Sequence, residues 1–135
     1  MKTEYFDLKN KRALISGGAS GIGSSIVEHL CEQGVEVYFF DIDKKEAKKT
    51  INKIKKKKLN IPNFVECDIK NIKKYKLSIL NIIKKQGPID ILVNNASNDQ
   101  RHSLEKITEK YWDDRMAINL KHYLFAIQSV KKSMI

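Results

Sequence analysis

A glycine-rich segment between an apolar run and a helical pattern constrains the fold of this chain more than any other feature. Residues 16–23 read Ser-Gly-Gly-Ala-Ser-Gly-Ile-Gly and follow the short apolar run 12–16. Gly17 permits a tight turn, and Gly21 removes a side chain where backbone must approach a phosphate. Gly23 lets a helix pack closely on a strand. A strand, a glycine turn and a helix N-terminus in this order predict a dinucleotide site, with a structural turn as the alternative.

Short strand-like runs alternate with helical segments along the rest of the chain. Strands are predicted at residues 12–16, 35–40, 63–67 and 89–93. The run 89–93 is nearly all apolar, so we expect it to be buried on both faces. Four strands alternating with helices predict an α/β fold with a Rossmann-type, doubly wound parallel sheet. No strand follows the last helix, so residues 1–135 are interpreted as the N-terminal, dinucleotide-binding part of one domain with an incomplete sheet.

Apolar residues at helical spacing mark the helices, and each stripe is predicted to face the core. The four stripes are Ile22, Ile26, Val27 and Leu30; Ala47, Ile51 and Ile54; Ile72, Tyr75, Ile79, Ile82 and Ile83; and Trp112, Met116, Leu120, Tyr123, Ile127 and Val130. The last stripe belongs to one long helix from about Thr108 to Met134. Asn119 lies on that stripe as a buried amide, which costs about 1–3 kcal/mol without partners. A hydrogen-bonded structural asparagine is the default interpretation.

The charge of the chain is concentrated in one segment. The 135 residues carry a formal net charge of +10, and residues 44–58 contain nine lysines opposed only by Glu46. Lysine rather than arginine dominates, and no aromatic residue interrupts the run, which disfavours nucleic-acid recognition. A solvated helix face is the preferred interpretation.

The composition bears on the cellular compartment and on whether the chain has a membrane span or a metal site. No apolar run approaches the roughly 18–20 residues of a membrane span, and the first residues lack the apolar segment of a secretion signal. Cys31 and Cys67 stand apart, and the three histidines are scattered without metal-ligand spacing. We therefore expect a cytoplasmic protein with free thiols, no membrane contact and no metal site.

Asp41 ends the second predicted strand, 18 positions after Gly23. This is close to the offset of roughly 20 residues expected for the acid that binds a cofactor ribose. A carboxylate there can accept both ribose hydroxyls and repels a 2′-phosphate, so NAD is predicted and NADP is less favoured. Lys44, the nearest cation, keeps NADP open. N-capping of the lysine-rich helix is a compatible alternative role for Asp41.

Taken together, five features in order resemble the short-chain dehydrogenase/reductase family. They are Ser-Gly-x-x-x-Gly-Ile-Gly, Asp41, Cys67-Asp68-Ile69, Asn94-Asn95-Ala96-Ser97 and Asn119, and the resemblance runs from about Leu8 to Ile135. It implies an NAD-dependent oxidoreductase that moves hydride between nicotinamide and an alcohol/carbonyl substrate. The polar loop 98–102 is similar to that of members that oxidise sugars. The resemblance also implies a homo-dimer or homo-tetramer for a full-length form.

The resemblance assigns roles residue by residue. The cofactor residues are Ser16, Gly17, Ser20, Gly21, Ile22, Gly23, Asp41, Asp68, Ile69, Asn94, Asn95 and Ala96. Among them, Asp68 and Ile69 would lie by the adenine, and Asn94 and Ala96 beneath the riboses. Ser97 stands where glycine is usual, and Ser16 where threonine is usual.

Asn119 resembles the asparagine of the family's catalytic tetrad, which bends its helix and holds a water in a proton relay. The other tetrad members are a serine and a Tyr-x-x-x-Lys pair, and no such pair follows Asn119. Tyr5 to Lys9 precedes the first strand, and Tyr111 to Arg115 ends in arginine. The chain alone is therefore expected to be an inactive partial form. The alternative is a non-catalytic, NAD-binding fragment or pseudo-enzyme.

Overall fold

A computed structural model describes residues 3–134, so Met1, Lys2 and Ile135 of the predicted domain lie outside the described residues. The strands are β1 (Arg12–Ser16), β2 (Glu36–Asp41), β3 (Asn63–Glu66) and β4 (Ile91–Asn94). The helices are α1 (Gly21–Glu32), α2 (Lys44–Lys56), α3 (Ile72–Gln86), α4 (Glu109–Met116) and α5 (His122–Met134). A π-helical turn (Ala117–Lys121) joins α4 to α5. Short 3₁₀ turns occur at Phe6–Leu8 and Leu104–Lys106.

The four strands form one parallel sheet in the order β3-β2-β1-β4. Leu14 of β1 lies opposite Tyr38 of β2 on one side and Leu92 of β4 on the other. The chain thus winds outward from β1 through β2 and β3, then returns to place β4 on the opposite side of β1. This arrangement confirms the predicted doubly wound α/β fold, and ligands bind such sheets where the strand order reverses, here between β1 and β4.

Alternation along the strands divides the apolar side chains between two cores. The first core packs the sheet against α1 and α2 and contains Ala13, Ile15, Val37, Phe39, Val27, Cys31, Ala47 and Ile54. The second packs the sheet against α3 and α5 and contains Leu14, Tyr38, Phe40, Tyr75, Ile79, Ile82, Ala126 and Val130. Helices therefore cover both faces, as parallel sheets require.

β4 differs from the sequence prediction in its bounds and its burial. The prediction was residues 89–93 with both faces buried, whereas the strand is Ile91–Asn94 and each of its residues is half-buried. The reason is that β4 is an edge strand within the described residues, because it pairs only with β1.

The first and last predicted helical stripes also need correction. Ile22 is 76% exposed, because it lies in the first turn of α1 at the end of the sheet. At the other end of the chain, the predicted long helix is interrupted by the π turn, which inserts extra backbone and rotates the residues that follow. Trp112 before the turn and Leu120 within it are exposed, as is the predicted Ile127 of α5. α5 buries the predicted Val130 together with His122 and Ala126, which the stripe does not include.

The lysine-rich helix α2 docks through its predicted stripe, since Ala47 and Ile54 are fully buried. A contact that the stripe does not predict accompanies this packing. Glu28 of α1 is only 6% exposed and accepts hydrogen bonds from Lys53, at 2.7 Å, and from Lys57. Two of the nine lysines thus tie α2 to α1.

Among residues 3–134, no helix is long and apolar enough to cross a membrane.

Candidate functional site

A cleft of about 560 Å³ lies at the carboxyl ends of the four strands. Each strand contributes to it through residues at or just after its end: Gly17 from β1, Asp41 from β2, Asp68 from β3 and Ala96 from β4. The volume falls in the range of about 300–1,000 Å³ that is typical of small-molecule and cofactor sites.

Nine of the predicted cofactor residues line this cleft: Gly17, Ser20, Ile22, Gly23, Asp41, Asp68, Ile69, Asn95 and Ala96. The other predicted site residues, Ser16, Gly21, Asn94 and Asn119, lie outside the lining. Sequence reasoning missed Lys70 and Asp114, which also line the cleft. Both are charged residues on surface segments, and nothing in their spacing signals that they meet.

Of Gly17, Gly21 and Gly23, the first and the last are closely surrounded by other atoms, whereas Gly21 is open. Gly17 has a φ of +70°, and its N–H donates to the carbonyl of Phe40 at 2.8 Å. A Cβ on Gly23 would lie 1.8 Å from the carbonyl oxygen of Gly17, so only glycine fits there. At Gly21, by contrast, a Cβ would meet nothing within 4 Å. The backbone at Gly21 is therefore accessible to a ligand, as an approaching phosphate requires.

The N-terminus of α1 opens onto the cleft beside this loop. Ser20 is the N-cap residue, yet its side chain makes no capping hydrogen bond, and the first turn contains no acidic residue. The first amide groups of a helix have no intrahelical acceptor and carry the positive end of its dipole. This turn can therefore bind an anion such as a pyrophosphate.

Hydrogen bonds of Ser16 and Asn95 join the glycine loop to the end of β4. The hydroxyl of Ser16 accepts from the N–H groups of Asn95 and Ala96, both at 3.1 Å. In return, the side-chain amide of Asn95 donates to the carbonyls of Ser16, at 3.1 Å, and Gly17, at 2.9 Å. Ser16 is fully buried. The structure therefore places Ser16 behind the cleft, where it positions the loop.

Asp41 binds three backbone N–H groups at the end of β2. Its Oδ2 accepts from Ala19 at 3.0 Å, and its Oδ1 accepts from Ile42 at 2.8 Å and Asp43 at 3.0 Å. A carboxylate offers about four acceptor positions, so a further donor can still be accommodated. Lys44, the cation next to this site, pairs instead with Glu66 at 2.8 Å.

The alternative prediction, that Asp41 caps the lysine-rich helix, is wrong. The N-cap residue of α2 is Asp43, whose side chain accepts from the N–H groups of Lys45 and Glu46. Because α2 begins at Lys44, the residue directly before it has the geometry of a cap, and Asp41 lies too early.

The loop after β3 brings a carboxylate and a cation to the cleft. Asp68 is exposed and accepts from the N–H of Lys70 at 2.9 Å. The ammonium group of Lys70 then pairs with Asp114 of α4 at 3.0 Å. Cys67, just before Asp68, is buried, and burial raises the pKa of its thiol. Its sulfur is therefore an uncharged part of the cleft wall at neutral pH.

Asn119 lies in the π turn, and both ends of its side-chain amide bind one loop residue. Its Oδ1 accepts from the N–H of Asn98 at 2.7 Å, and its Nδ2 donates to the carbonyl of Asn98 at 3.0 Å. Asn98 itself lines the cleft. Asn119 thus fixes the backbone of Asn98 in the cleft wall. A role for Asn119 in a proton relay stays a prediction. Asn94, at the end of β4, has a buried Oδ1 without a partner among the described residues.

His122 and the pair Tyr111–Arg115 have structural contacts. His122 is fully buried with Nε2 3.3 Å from the carbonyl oxygen of Ala96, and burial lowers its pKa, so the ring is neutral at pH 7. The Arg115 guanidinium stacks 4.9 Å from the centre of the Tyr111 ring, and the Tyr111 hydroxyl donates to the carbonyl of Gln100 at 2.6 Å. Within residues 3–134, no group of three His, Cys, Asp or Glu side chains is placed to hold a metal ion.

Known proteins resemble this chain along nearly all of its length. It is 38% identical over 130 residues to the D-xylose 1-dehydrogenase of Caulobacter vibrioides, covering 96% of this chain and 50% of that protein. The solved aldohexose dehydrogenase of Thermoplasma acidophilum is 30% identical with a TM-score of 0.81, covering 96% of this chain and 46% of that one. A blue fluorescent protein from a metagenomic library, solved in complex with NADPH, is 28% identical with a TM-score of 0.85 and covers 94% of this chain and 52% of that one.

The chain spans about half the length of the curated relatives that it matches. The family model described as short chain dehydrogenase matches residues 11–135, which is most of the chain. The fold, the glycine loop and the cleft described above agree with that match. This chain therefore belongs to the short-chain dehydrogenase family of oxidoreductases.

Proposed function

We propose that this chain binds NAD in the cleft, as the dinucleotide-binding part of a dehydrogenase that acts on an alcohol/carbonyl pair. The observation that carries the proposal is the juxtaposition of two features at one edge of the sheet. An uncapped helix N-terminus adjoins the open backbone of Gly21, and the Asp41 carboxylate lies at the end of the neighbouring strand. The first suits a pyrophosphate and the second suits the hydroxyls of a ribose.

Charge favours NAD over NADP in this proposal. The 2′-phosphate of NADP would have to lie near the ribose-binding carboxylate of Asp41, which repels it. The cation available to offset this repulsion is Lys44, and its ammonium group is paired with Glu66. One relative, 28% identical to this chain, is solved in complex with NADPH, so the preference of this chain has to be measured.

Different residues of the chain would contact different parts of the cofactor. Gly17, Gly21 and Gly23 would admit the pyrophosphate, Asp41 would accept a ribose hydroxyl, and Asp68 with Ile69 would border the adenine. Asn119 would keep the loop at Asn98 in place beside the nicotinamide end. Bound NAD would supply the hydride acceptor.

The substrate class is proposed to be a sugar or polyol. Two similar proteins are a D-xylose 1-dehydrogenase and an aldohexose dehydrogenase. The loop 98–102, which follows the cleft residue Ser97, reads Asn-Asp-Gln-Arg-His, and such polar groups suit a hydroxyl-rich substrate. No Tyr-x-x-x-Lys follows Asn119 in the 135 residues. We therefore infer that these 135 residues by themselves bind NAD without turnover.

Calorimetry with NADH and NADPH tests the cofactor proposal. We expect NADH to bind more tightly than NADPH, and Asp41→Asn to weaken NADH by about tenfold, the value of one charge-assisted hydrogen bond. Asp41→Asn also removes the charge that repels the 2′-phosphate, so the difference in affinity between NADH and NADPH should become smaller. Asparagine keeps an acceptor oxygen for the N–H of Ala19, so the glycine loop is disturbed less than by alanine.

Asp43→Ala is the matched control, because it removes a carboxylate two residues away. Losing this N-cap should cost about 1 kcal/mol of stability and leave NADH affinity unchanged. Equal affinity of the wild-type chain for NADH and NADPH would refute the NAD assignment. Oxidation of D-xylose by this chain with NAD at a robust rate would refute the inference of binding without turnover.

Other expectations remain part of the proposal. A full-length form is proposed to assemble as a homo-dimer or homo-tetramer, and the protein is proposed to be cytoplasmic. Nucleic-acid binding is disfavoured, because four of the nine lysines in residues 44–58 pair with glutamates: Lys44 with Glu66, Lys49 with Glu46, and Lys53 and Lys57 with Glu28.

A further inference from the structure

An ion pair joins two walls of the cleft that come from distant parts of the chain. Lys70 follows β3, Asp114 lies on α4, and the Lys70 Nζ is 3.0 Å from the Asp114 Oδ1. Both residues line the cleft. Their side chains are 40% and 36% exposed, which places the pair at the rim of the cleft.

Local contacts orient both partners. The N–H of Lys70 donates to the Asp68 side chain at 2.9 Å, and the N–H of Asn71 donates to the Asp68 carbonyl at 3.0 Å, so a turn holds the Lys70 backbone. On the other wall, the second oxygen of Asp114 lies 3.7 Å from the guanidinium of Arg115. The pair can therefore open through the flexible lysine side chain while both backbones stay in place.

Apolar side chains adjoin each partner inside the cleft. Ile69, next to Lys70, is 8% exposed, and Ile118 lies one helical turn after Asp114 and is half-buried. Both line the cleft. Two aliphatic walls beneath a polar rim suit a flat, largely apolar heterocycle, such as the purine of the proposed ligand.

We propose that Lys70 and Asp114 form a clasp that retains the adenosine end of a bound dinucleotide in the cleft. The inference rests on the function proposed above and adds to it a pair of residues that slow ligand release. The two residues act as positioning residues, because they hold the cleft walls together across the ligand.

The sign of the Asp114 effect separates a clasp from simple electrostatic attraction. If the charges acted only on the anionic dinucleotide, removing Asp114 would remove a repulsion and strengthen binding. A clasp predicts the opposite, because Asp114→Ala and Lys70→Met each break the same contact. The two changes should then be non-additive, so that the double variant releases ligand no faster than either single variant.

Stopped-flow measurement of NADH release, followed by its fluorescence with the full chain, tests this proposal. We expect each single variant to release NADH about two- to fivefold faster than wild type, the range of an exposed ion pair. Raising the salt concentration should lower the ratio of the variant release rate to the wild-type release rate, because salt screens the Lys70–Asp114 pair in the wild type. Lys49→Met is the matched control, since it breaks the exposed pair with Glu46 on α2 and should leave the release rate unchanged.

The outcomes separate the clasp from the function on which it rests. Wild-type binding of NADH, with release unchanged in Lys70→Met or slowed in Asp114→Ala, overturns the clasp and leaves the dinucleotide site standing. Absence of NADH binding by the folded wild-type chain overturns both. Faster release in both single variants with unchanged melting temperatures supports the clasp, because a general loosening of the fold would lower those temperatures.

Discussion

Gly21 is the glycine of this chain whose backbone has the most open space around it. Its φ is +54°, and a Cβ there would meet nothing within 4 Å. Alanine at this position therefore fits sterically, at the cost of a left-handed conformation, and places a methyl group where a phosphate would approach. Gly34, after α1, has a similar φ of +78° and only an ordinary contact with the Lys9 side chain, remote from the cleft.

The two glycines form a matched pair for mutation. Gly21→Ala and Gly34→Ala should each lower the free energy of unfolding by about 1–2 kcal/mol, measured by urea denaturation. Only Gly21→Ala should also weaken NADH, by about fivefold to tenfold, the equivalent of one hydrogen bond. An equal loss of NADH affinity in both variants would mean that stability, and not access to the loop, controls binding.

Residues that act through local geometry were predictable from the sequence, whereas those that act through long-range contacts were not. Gly17, Gly23 and Asp41 follow from their spacing along one βαβ unit, which fixes where they meet. The Lys70–Asp114 pair depends on how α4 is placed against the β3–α3 loop, 44 positions away in the chain. Ser16 was assigned to the cofactor but lies behind the loop, because its hydroxyl faces β4.

At the scale of elements, α1 and α2 are joined by an ionic contact in addition to their apolar stripes. Glu28 is almost buried, and hydrogen bonds from Lys53 and Lys57 hold its pKa below the ordinary value of 4.5, against the effect of burial. A carboxylate whose pKa is lowered in the folded state contributes stability above its unfolded pKa. That contribution is lost as the pH falls through the lowered folded value.

Glu28→Gln should therefore destabilise the chain at pH 7 by about 1–2 kcal/mol, because it removes hydrogen bonds to a charged acceptor. The difference from wild type should shrink as the pH falls below about 4.5. Urea denaturation at a series of pH values measures this difference in the free energy of unfolding. Glu46→Gln, which breaks the exposed pair with Lys49, should change stability by less than about 0.5 kcal/mol. A Glu28→Gln effect that is independent of pH would contradict the ionic role.

The order of strands and helices is the part of the architecture that the sequence predicts best, because each element has its own periodicity. The bounds of β1, α2 and α3 agree closely with that pattern. The last helix shows the limit: after the π turn at Ala117–Lys121, the buried face contains the predicted Val130 but also His122 and Ala126, which the stripe does not include. Helical periodicity assumes a constant number of residues per turn, so an inserted residue changes which side chains face the core after it.

For the whole molecule, we propose that the edge of the sheet formed by the four carboxyl ends binds a nicotinamide dinucleotide. The burial of β4 was overestimated because the pattern of a strand does not reveal how many neighbours it has. The cleft, in contrast, is formed by the four strand ends, α1 and residues of the β4–α4 loop, α4 and the π turn, all of which are present in the described residues. A chain about half the length of its relatives therefore brings nine of the twelve predicted cofactor residues into one cleft.

The most direct test is a titration of the ¹⁵N-labelled chain with NADH, followed by amide chemical shifts. We expect saturable shifts that are largest at Gly17, Gly21, Gly23, Asp68 and Ala96, with little change at residues 44–58 of the lysine-rich segment. Shifts confined to that basic segment, or no shifts in the well-folded chain at millimolar NADH, would contradict this proposal.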